Sequence, residues 1–427
     1  MKLLSKIKSN ETIINGSLFS FFSFVNKGFL FLLLLVLANY ISPAEYGFLS
    51  LFNTVTLLIG YFITLSTEGY LSVSFFKDDS NGLKQTFSCI LFTGIIMAMF
   101  LLAFLFFCGE ELSVILDIPL CCLLFAIVIS FGTKFSNLFL DYLRLQKKVK
   151  IYGFFSCGNA LSIFIFSIVF VKFFLLGWQG CVYAQGLCCF VFGLMGFFFF
   201  YRKRFISVPR FAHWKMMLLW GIPLIPHLAT TFIRQGCDRY IVNYFHSIDD
   251  VGFFSFALNL TNIIIMLGMG FNQSNSVEIF AILGNAQLTE SEKKCQINIQ
   301  RRNIFWIYLI CSVVITLACV GIIPFILPKF SEAIKYFPIL AVYAFFNCLY
   351  FLYTNFLFFY RKTKNLMYVT FGSSVFHLIM SLLLTKYSLY YTCCVYCVSQ
   401  MIILFFVRRM AILWAFPSKK VEININT

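Results

Sequence analysis

Long apolar runs separated by short polar segments are the dominant pattern of the chain. A helical run of about 20 apolar residues is long enough to cross a hydrocarbon layer about 30 Å thick. Twelve such runs can be counted, so the pattern predicts an all-α integral membrane protein with about 12 transmembrane helices. Their expected limits are 14–40, 46–76, 83–108, 112–136, 150–171, 176–200, 214–244, 250–283, 303–327, 333–359, 365–385 and 388–409.

The Lys and Arg residues indicate how the spans are oriented. Of the 33, 25 lie in segments that would share a side with both termini, and 4 lie in segments on the opposite side. Because basic residues accumulate on the cytoplasmic side of membrane proteins, both termini are expected in the cytoplasm. The first apolar stretch, Ile13–Ile41, is much longer than the core of a signal peptide, so we interpret it as a retained span.

Composition narrows the possible classes of function. Hydrophobic residues make up 60% of the chain and charged residues 12%, whereas an average soluble domain is about 25% charged. The net charge of +16 comes from short clusters between apolar runs, so nucleic acid is not an expected partner.

Most of the 16 cysteines lie within apolar runs, where free cysteine behaves as a small apolar residue. No P-loop and no metal-ligand spacing such as HExxH occurs, so neither ATP hydrolysis nor a cofactor is expected.

The two halves of the chain share a pattern at an offset of 205 residues. The stretch ISPAEYGFLS (41–50) aligns without gaps with HSIDDVGFFS (246–255), and four of the ten positions are identical. Each half would contain six spans, and an even number returns the chain to the side where it began. The repeat therefore predicts two six-helix bundles of the same orientation, residues 1–204 and 205–427, around a central cleft.

Charged residues occur within the predicted spans, where each costs about 2.5–3.5 kcal/mol on insertion scales. The stretch TTFIRQGCDRY (230–240) alone contains Arg234, Asp238 and Arg239. Helical spacing places polar residues in stripes through Gly16, Ser20, Ser23 and Lys27, through Asn53, Thr56, Gly60, Thr64 and Glu68, and through His227, Thr231, Arg234 and Asp238. Two interpretations remain open: a water-filled cationic cavity, or ion pairs that only stabilise the helices.

The seventh span carries two more specific expectations. Arg234 and Asp238 are four residues apart, so they can form an ion pair on one helical face. Pro223 and Pro226 remove backbone donors near the start of this span, which predicts a kink. Such a kink is either a hinge for motion between the bundles or a fixed bend.

The remaining titratable residues have less specific interpretations. Three charged residues are expected near the cytoplasmic ends of helices: Glu68, Lys134 and Glu278. A charged side chain at a helix end can extend to the water, so these charges need no functional explanation. Three further histidines are interpreted as interface or loop residues: His213, His246 and His377.

Two stretches, at the starts of the two halves, resemble the Wzx-type polysaccharide flippases. They are GSLFSFF…YISPAEYGFLSLFNTVTLL (16–58) and GIPLIPH…CDRYIVNYFHSIDDVGFFSFALNL (221–260). The resemblance implies a secondary transporter, not an enzyme, of the superfamily that also holds the multidrug and toxin exporters and the lipid II flippases. Its substrate would be undecaprenyl-pyrophosphate-linked oligosaccharide, turned across the bacterial inner (plasma) membrane by alternating access coupled to protons or sodium. The translocated repeat units would serve the synthesis of a surface polysaccharide, either the O-antigen of lipopolysaccharide or a capsule.

The resemblance also implies roles for the intramembrane charges, since cations in the cleft of such flippases meet an anionic pyrophosphate or acidic sugar. The Asp-Arg pair of the family's seventh span matches Asp238 and Arg239. The expected substrate-binding cations are Lys27, Arg234 and Arg239, and Lys27 is included because of its position in the middle of a span, not because of a motif. The residues expected in ion coupling or pairing are Asp238, Glu68 and His227. The remaining charges of the cleft or its cytoplasmic edge are Lys134 and Glu278. Membrane lipids and the polymerase and chain-length proteins of the same pathway are the implied partners.

Two other functions are compatible with a membrane bundle of this kind. An ion-coupled multidrug exporter of the same superfamily would move organic cations, and an excess of positive charge in the cleft disfavours that substrate. An integral-membrane polymerase or ligase of the same pathway would need a long external loop with catalytic charges. The external segments of this chain are only a few residues long, which disfavours the enzyme.

Overall fold

The structure, a computed structural model, describes residues 2–360 and 362–415, and every regular element in these ranges is helical. The side chains of residues 2–17, 20, 226–229, 235, 363, 414 and 415 are not described. The α-helices are, in chain order, α1 (Lys2–Leu37), α2 (Pro43–Ile63), α3 (Tyr70–Lys77), α4 (Ser80–Leu116), α5 (Leu120–Leu145), α6 (Val149–Ile168), α7 (Gly177–Arg202), α8 (Phe211–Gly221), α9 (Ile225–Gln235), α10 (Cys237–Phe245), α11 (Ile248–Gly284), α12 (Glu290–Ile326), α13 (Phe337–Phe359), α14 (Thr363–Leu384) and α15 (Leu389–Ala415). A π-helical turn, Val169–Phe173, continues α6.

These helices account for the expected spans. Ten helical segments of the described chain are long and apolar enough to cross a membrane, and they correspond to the second to sixth and the eighth to twelfth predicted spans. The first span is α1, whose apolar part is Phe21–Leu37. The seventh span is divided among α8, α9 and α10, which are individually too short to be recognised by length.

The seventh span is broken twice. A 3-10 turn, Ile222–Leu224, separates α8 from α9 at Pro223, where the ring removes a backbone donor. The second break is at Gly236, between the last residue of α9 and the first residue of α10. The predicted kink is therefore present, and the polar stripe through Arg234 and Asp238 passes across an interruption of the helix.

The repeated sequence motif forms the same local structure in both halves. The Ser42 hydroxyl accepts from the backbone N–H of Glu45 at 3.2 Å, and the Glu45 carboxylate accepts from the N–H of Ser42 at 2.9 Å. Ser247 and Asp250, 205 residues later, form the same reciprocal capping box. Each box satisfies backbone donors at a helix start, so the turn before α2 recurs before α11.

Two compact units can be distinguished, one up to Phe232 and one from Ile233. The packed helix pairs of the first unit include α1–α6, α2–α5, α5–α7 and α6–α7. Those of the second unit include α10–α14, α11–α13, α13–α15 and α14–α15. Counted as spans, each pair of the second unit lies six spans after a pair of the first, which confirms the internal repeat. The expected boundary between the bundles, 204/205, stays a prediction.

The α5 and α7 helices cross with their backbones almost in contact. A Cβ atom added to Gly132 would lie 2.4 Å from the carbonyl oxygen of Cys189. One added to Gly193 would lie 3.0 Å from the Cα of Gly132. Small residues permit this close approach, which is a main source of attraction between helices in a membrane.

Candidate functional site

A cavity of about 760 Å³ lies within the first unit, between α1, α2, α5, α6 and α7. Its size is within the range of small-molecule sites, about 300–1,000 Å³. Five amide side chains belong to the lining: Asn26, Asn53, Asn137, Asn159 and Gln185. Hydroxyl groups extend the polar surface on four of the helices: Ser23, Thr56, Ser130, Thr133, Tyr152 and Ser156.

Hydrogen bonds between helices hold several of these side chains in place. The Asn26 amide nitrogen donates to the carbonyl oxygen of Ser156 at 2.8 Å and lies 3.1 Å from its hydroxyl. The Ser130 hydroxyl donates to the carbonyl oxygen of Thr56 at 2.8 Å. The Oδ1 atom of Asn159 is buried and has no hydrogen-bond partner among the described residues. The wall is therefore fixed in position by contacts between the helices.

Two lysines line this cavity, and their environments differ. The Nζ atom of Lys134 lies 2.5 Å from Oε1 of Glu68, whose other carboxylate oxygen accepts a hydrogen bond from Thr64. Lys27 is exposed to the cavity and has no ion-pair or hydrogen-bond partner in the described part of the chain. The positive charge of Lys134 is thus compensated, whereas that of Lys27 is not.

The position of Glu68 depends on a break in the second span. Leu65 and Ser66 have φ values of 48° and 60°, and the 3-10 turn Thr67–Gly69 follows them before α3 begins. The left-handed conformation is costly for residues with a side chain, so the surrounding packing must enforce it. The break brings the Glu68 carboxylate to Lys134, so the two charges form an ion pair. Their expected location near cytoplasmic helix ends stays a prediction.

In the second unit a fully buried network joins three helices. Oδ2 of Asp238, on α10, lies 2.7 Å from Nε2 of His377, on α14. Nδ1 of His377 lies 2.9 Å from the hydroxyl of Ser399, on α15. Each of the three side chains is only 1% exposed. The edge of the His377 ring also packs against Tyr396, with ring centroids 4.8 Å apart.

The predicted ion pair between Arg234 and Asp238 is absent from the described structure. Arg234 instead donates a hydrogen bond to the side-chain oxygen of Gln400, on α15. The break at Gly236 explains the difference, because residues on either side of it no longer follow one helical face. Arg239 is half-buried on α10 and belongs to the surroundings of Tyr396.

His377 is the functional candidate that sequence reasoning missed. It was expected to be an interface or loop residue, since a single histidine in an apolar span gives little signal. The sequence does contain one signal of a buried polar site at His377. Ser374, His377 and Ser381 are three and four residues apart, so they share one face of α14, and all three are buried.

Two further predicted residues are Glu278 and His227. Glu278 is exposed on α11 and accepts a hydrogen bond from Gln300, on α12. The side chain of His227 is outside the described residues, so its role stays a prediction.

A family model for polysaccharide biosynthesis proteins matches residues 14–277, more than half of the chain. The chain belongs to this family. A second model, for MatE proteins, matches residues 223–383 of this polysaccharide biosynthesis protein. A curated relative, Lsg locus putative protein 1 of Haemophilus influenzae, is 24% identical over 253 residues, which cover 57% of the chain. That match spans 60% of the relative's own length.

Solved structures of transporters share the fold of this polysaccharide biosynthesis protein. One is the inward-facing conformation of a multidrug resistance MATE family transporter of the MOP superfamily, with a TM-score of 0.72 at 13% identity over 94% of this chain and 96% of the other. Another is a MOP superfamily transporter from Pyrococcus furiosus with a reverse polarity of its binding pocket, with a TM-score of 0.65 at 13% identity over 93% and 95%. The predicted fold class, all-α with about 12 membrane helices in two bundles, is confirmed.

Proposed function

We propose that this protein is a flippase that moves undecaprenyl-pyrophosphate-linked oligosaccharide repeat units across the bacterial inner membrane by ion-coupled alternating access, for the synthesis of a surface polysaccharide such as O-antigen or capsule. The observation that carries the proposal is the amide-rich cavity of the first unit, with Lys27 exposed in it. The family to which the chain belongs supports the same class of substrate.

The chemistry of the cavity suits a sugar head group. Each sugar hydroxyl that leaves water without a new partner costs several kcal/mol, about 2–7 depending on the reference state. Amide side chains offer both donors and acceptors, so they can replace the water around hydroxyl and acetamido groups. The polyprenyl chain needs no such replacement, because it is compatible with the hydrocarbon of the bilayer.

The charge of the cavity favours an anionic head group over an organic cation. No carboxylate belongs to the described lining, and the nearby carboxylate of Glu68 is held by Lys134. Lys27 would attract a phosphate or an acidic sugar. Arg234 and Arg239 on the seventh span are the further cations proposed for the pyrophosphate, since a guanidinium binds phosphate through paired donors.

The alternative is an ion-coupled multidrug exporter. The match to the MatE model over residues 223–383 supports the exporter function. The two functions differ in the substrate that accumulates when the gene is deleted, so one strain can test both.

Deletion of the gene should cause lipid-linked repeat units to accumulate on the cytoplasmic face and should abolish the surface polymer. Normal surface polysaccharide in the deletion strain would contradict the proposal, and increased sensitivity to organic cations without any polysaccharide defect would favour the exporter.

Complementation of the deletion strain tests the contribution of Lys27. Lys27→Glu should fail to restore the polymer at wild-type protein levels, and Lys27→Gln should restore it in part, because the first reverses the charge in the cavity and the second removes it. Lys172→Glu is the matched control, since Lys172 is an exposed lysine outside the cavity, above the Tyr40 ring. It should complement fully. Full activity of Lys27→Glu would remove this lysine from substrate binding.

A further inference from the structure

We propose that Asp238 and His377 together form the proton-binding site that drives transport, with Ser399 as a positioning residue. The inference rests on the ion-coupled transport proposed above, and it names the ion as a proton and the two residues that hold it. Asp238 and His377 lie on different helices, α10 and α14, with their polar atoms 2.7 Å apart. A change in protonation of the pair therefore acts directly on the contact between these helices.

The hydrogen-bond geometry can accommodate two protonation states. In the proton-loaded state, the imidazolium donates from Nε2 to Asp238 and from Nδ1 to the Ser399 hydroxyl. The hydroxyl then donates to the carbonyl oxygen of Tyr396, 3.1 Å away. In the unloaded state, the neutral imidazole keeps its hydrogen on Nε2, and the Ser399 hydroxyl turns to donate to Nδ1. The two states differ by one proton and the rotation of one hydroxyl, so both ring nitrogens remain satisfied in each.

The energetic difference between the states lies in the net charge. The loaded pair is neutral overall, whereas the unloaded pair is a buried carboxylate beside a neutral ring. Besides His377, the Asp238 carboxylate has the Tyr396 side chain as a hydrogen-bonding neighbour in the described chain, and this neutral group brings no positive charge. A buried charge without full compensation is strongly unfavourable. Loss of the proton therefore favours any rearrangement that brings water or a cation to Asp238, and this links protonation to conformation.

Within the described residues, few other charged or titratable groups surround the pair. The neighbours that interact electrostatically with Asp238 or with the adjacent Tyr396 are Arg239 and Cys237 on α10, Cys393 and Tyr396 on α15, and Tyr343 on α13. From α11, the apolar ring of Phe254 packs against Tyr396. Arg239 is the cation of this set, and the group with which it interacts here is Tyr396.

The internal repeat shows that this site is particular to the second half. The helix pair α1–α6 is the counterpart of α10–α14. At the offset of 205 residues the position of Asp238 is taken by Leu33 in the first half, so the acid is not repeated there. Sodium is less well matched to the second site, because hard cations take oxygen ligands and a ring nitrogen faces Oδ2 of Asp238.

Proton binding can be measured on the full-length protein in nanodiscs without any transport substrate. Infrared difference spectra recorded across a pH titration should show a one-proton transition in the imidazole bands. His377→Gln should abolish this transition, because it removes the ring that takes up the proton. Asp238→Asn should lower its midpoint by more than about one pH unit, which is about 1.4 kcal/mol, because the imidazolium loses its counter-charge. Ser399→Ala should shift the midpoint without abolishing the transition. A wild-type titration curve in Asp238→Asn or His377→Gln would overturn the proposal.

His213→Gln is the matched control for the loss of a histidine. His213 lies in the first unit, with Nε2 2.9 Å from the Thr86 hydroxyl. This variant should keep the transition.

Transport in proteoliposomes then tests the coupling. The probe is the lipid-linked oligosaccharide extracted from the deletion strain, and its movement is followed under an imposed pH gradient or an imposed sodium gradient. A pH gradient should accelerate transport by the wild type and by His213→Gln, whereas His377→Gln should lose this acceleration. Equal acceleration of His377→Gln, or acceleration by sodium alone, would refute proton coupling at this site. If the wild type moves no probe at all, the proposed function fails, while the infrared titration still decides whether the pair binds a proton.

Discussion

The ion pair between Glu68 and Lys134 provides a quantitative test of the first unit. Its atoms are 2.5 Å apart, and the side chains are 23% and 19% exposed. Two unit charges about 4 Å apart attract by about 4 kcal/mol at an effective dielectric constant of about 20, against about 1 kcal/mol in water. Removing one partner of a fully buried pair costs about 3–5 kcal/mol, because the other charge is left uncompensated. The partial exposure of this pair reduces that cost.

We therefore expect Lys134→Met to lower the free energy of unfolding by about 2–3 kcal/mol, since it leaves the Glu68 carboxylate alone in a low-dielectric wall. Glu68→Gln should cost about 1–2 kcal/mol, because the amide can still accept from Thr64. The double variant should be more stable than the sum of the two losses predicts, by about 1–2 kcal/mol of coupling. Reversible unfolding in mixed micelles measures all three values.

The matched control is Lys150→Met, which removes an exposed lysine that does not line the cavity and should change the stability by less than about 0.5 kcal/mol. Strictly additive effects of Lys134→Met and Glu68→Gln would refute the reasoning, because they would mean that the two side chains contribute to stability independently. So would a Lys134→Met variant as stable as the wild type.

Two further predictions concern the packing and the repeat. Gly132→Ala should destabilise the protein by about 1–3 kcal/mol, since its Cβ would meet the carbonyl of Cys189, whereas Gly270→Ala, which meets nothing within 4 Å, should be neutral or stabilising in thermal unfolding assays. Ser247→Ala should cost about 1 kcal/mol by removing one side of the capping box with Asp250, and no loss of stability in the same assay would contradict a role for this box.

The architecture was largely predictable from the sequence, because each membrane-spanning segment must be apolar along its whole length, whichever helices it packs against. Apolar run length is sufficient to count spans, and the offset of 205 residues located the repeated turn whose serines cap α2 and α11. The first break of the seventh span, at Pro223, was predictable. The break at Gly236 was not, because an isolated glycine within an apolar span usually leaves the helix intact.

The contacts of the intramembrane charges were predictable only in part. Periodicity placed Lys27 on a polar face of the first span, and the structure places it in the wall of a polar cavity. The partner of Asp238 could not be found by spacing, because His377 is 139 residues away in the chain. Lys134 was similarly separated from Glu68 by 66 residues. Helical periodicity relates residues on one helix, whereas these pairs depend on which helices pack together.

The break at Gly236 also constrains how the seventh span meets the bilayer. An interrupted helix leaves backbone donors and acceptors without their regular partners, and acyl chains cannot satisfy them. Gly236 is buried within the protein, as such a requirement demands. The rotation of this span about its own axis is therefore set by the need to shield the break from lipid.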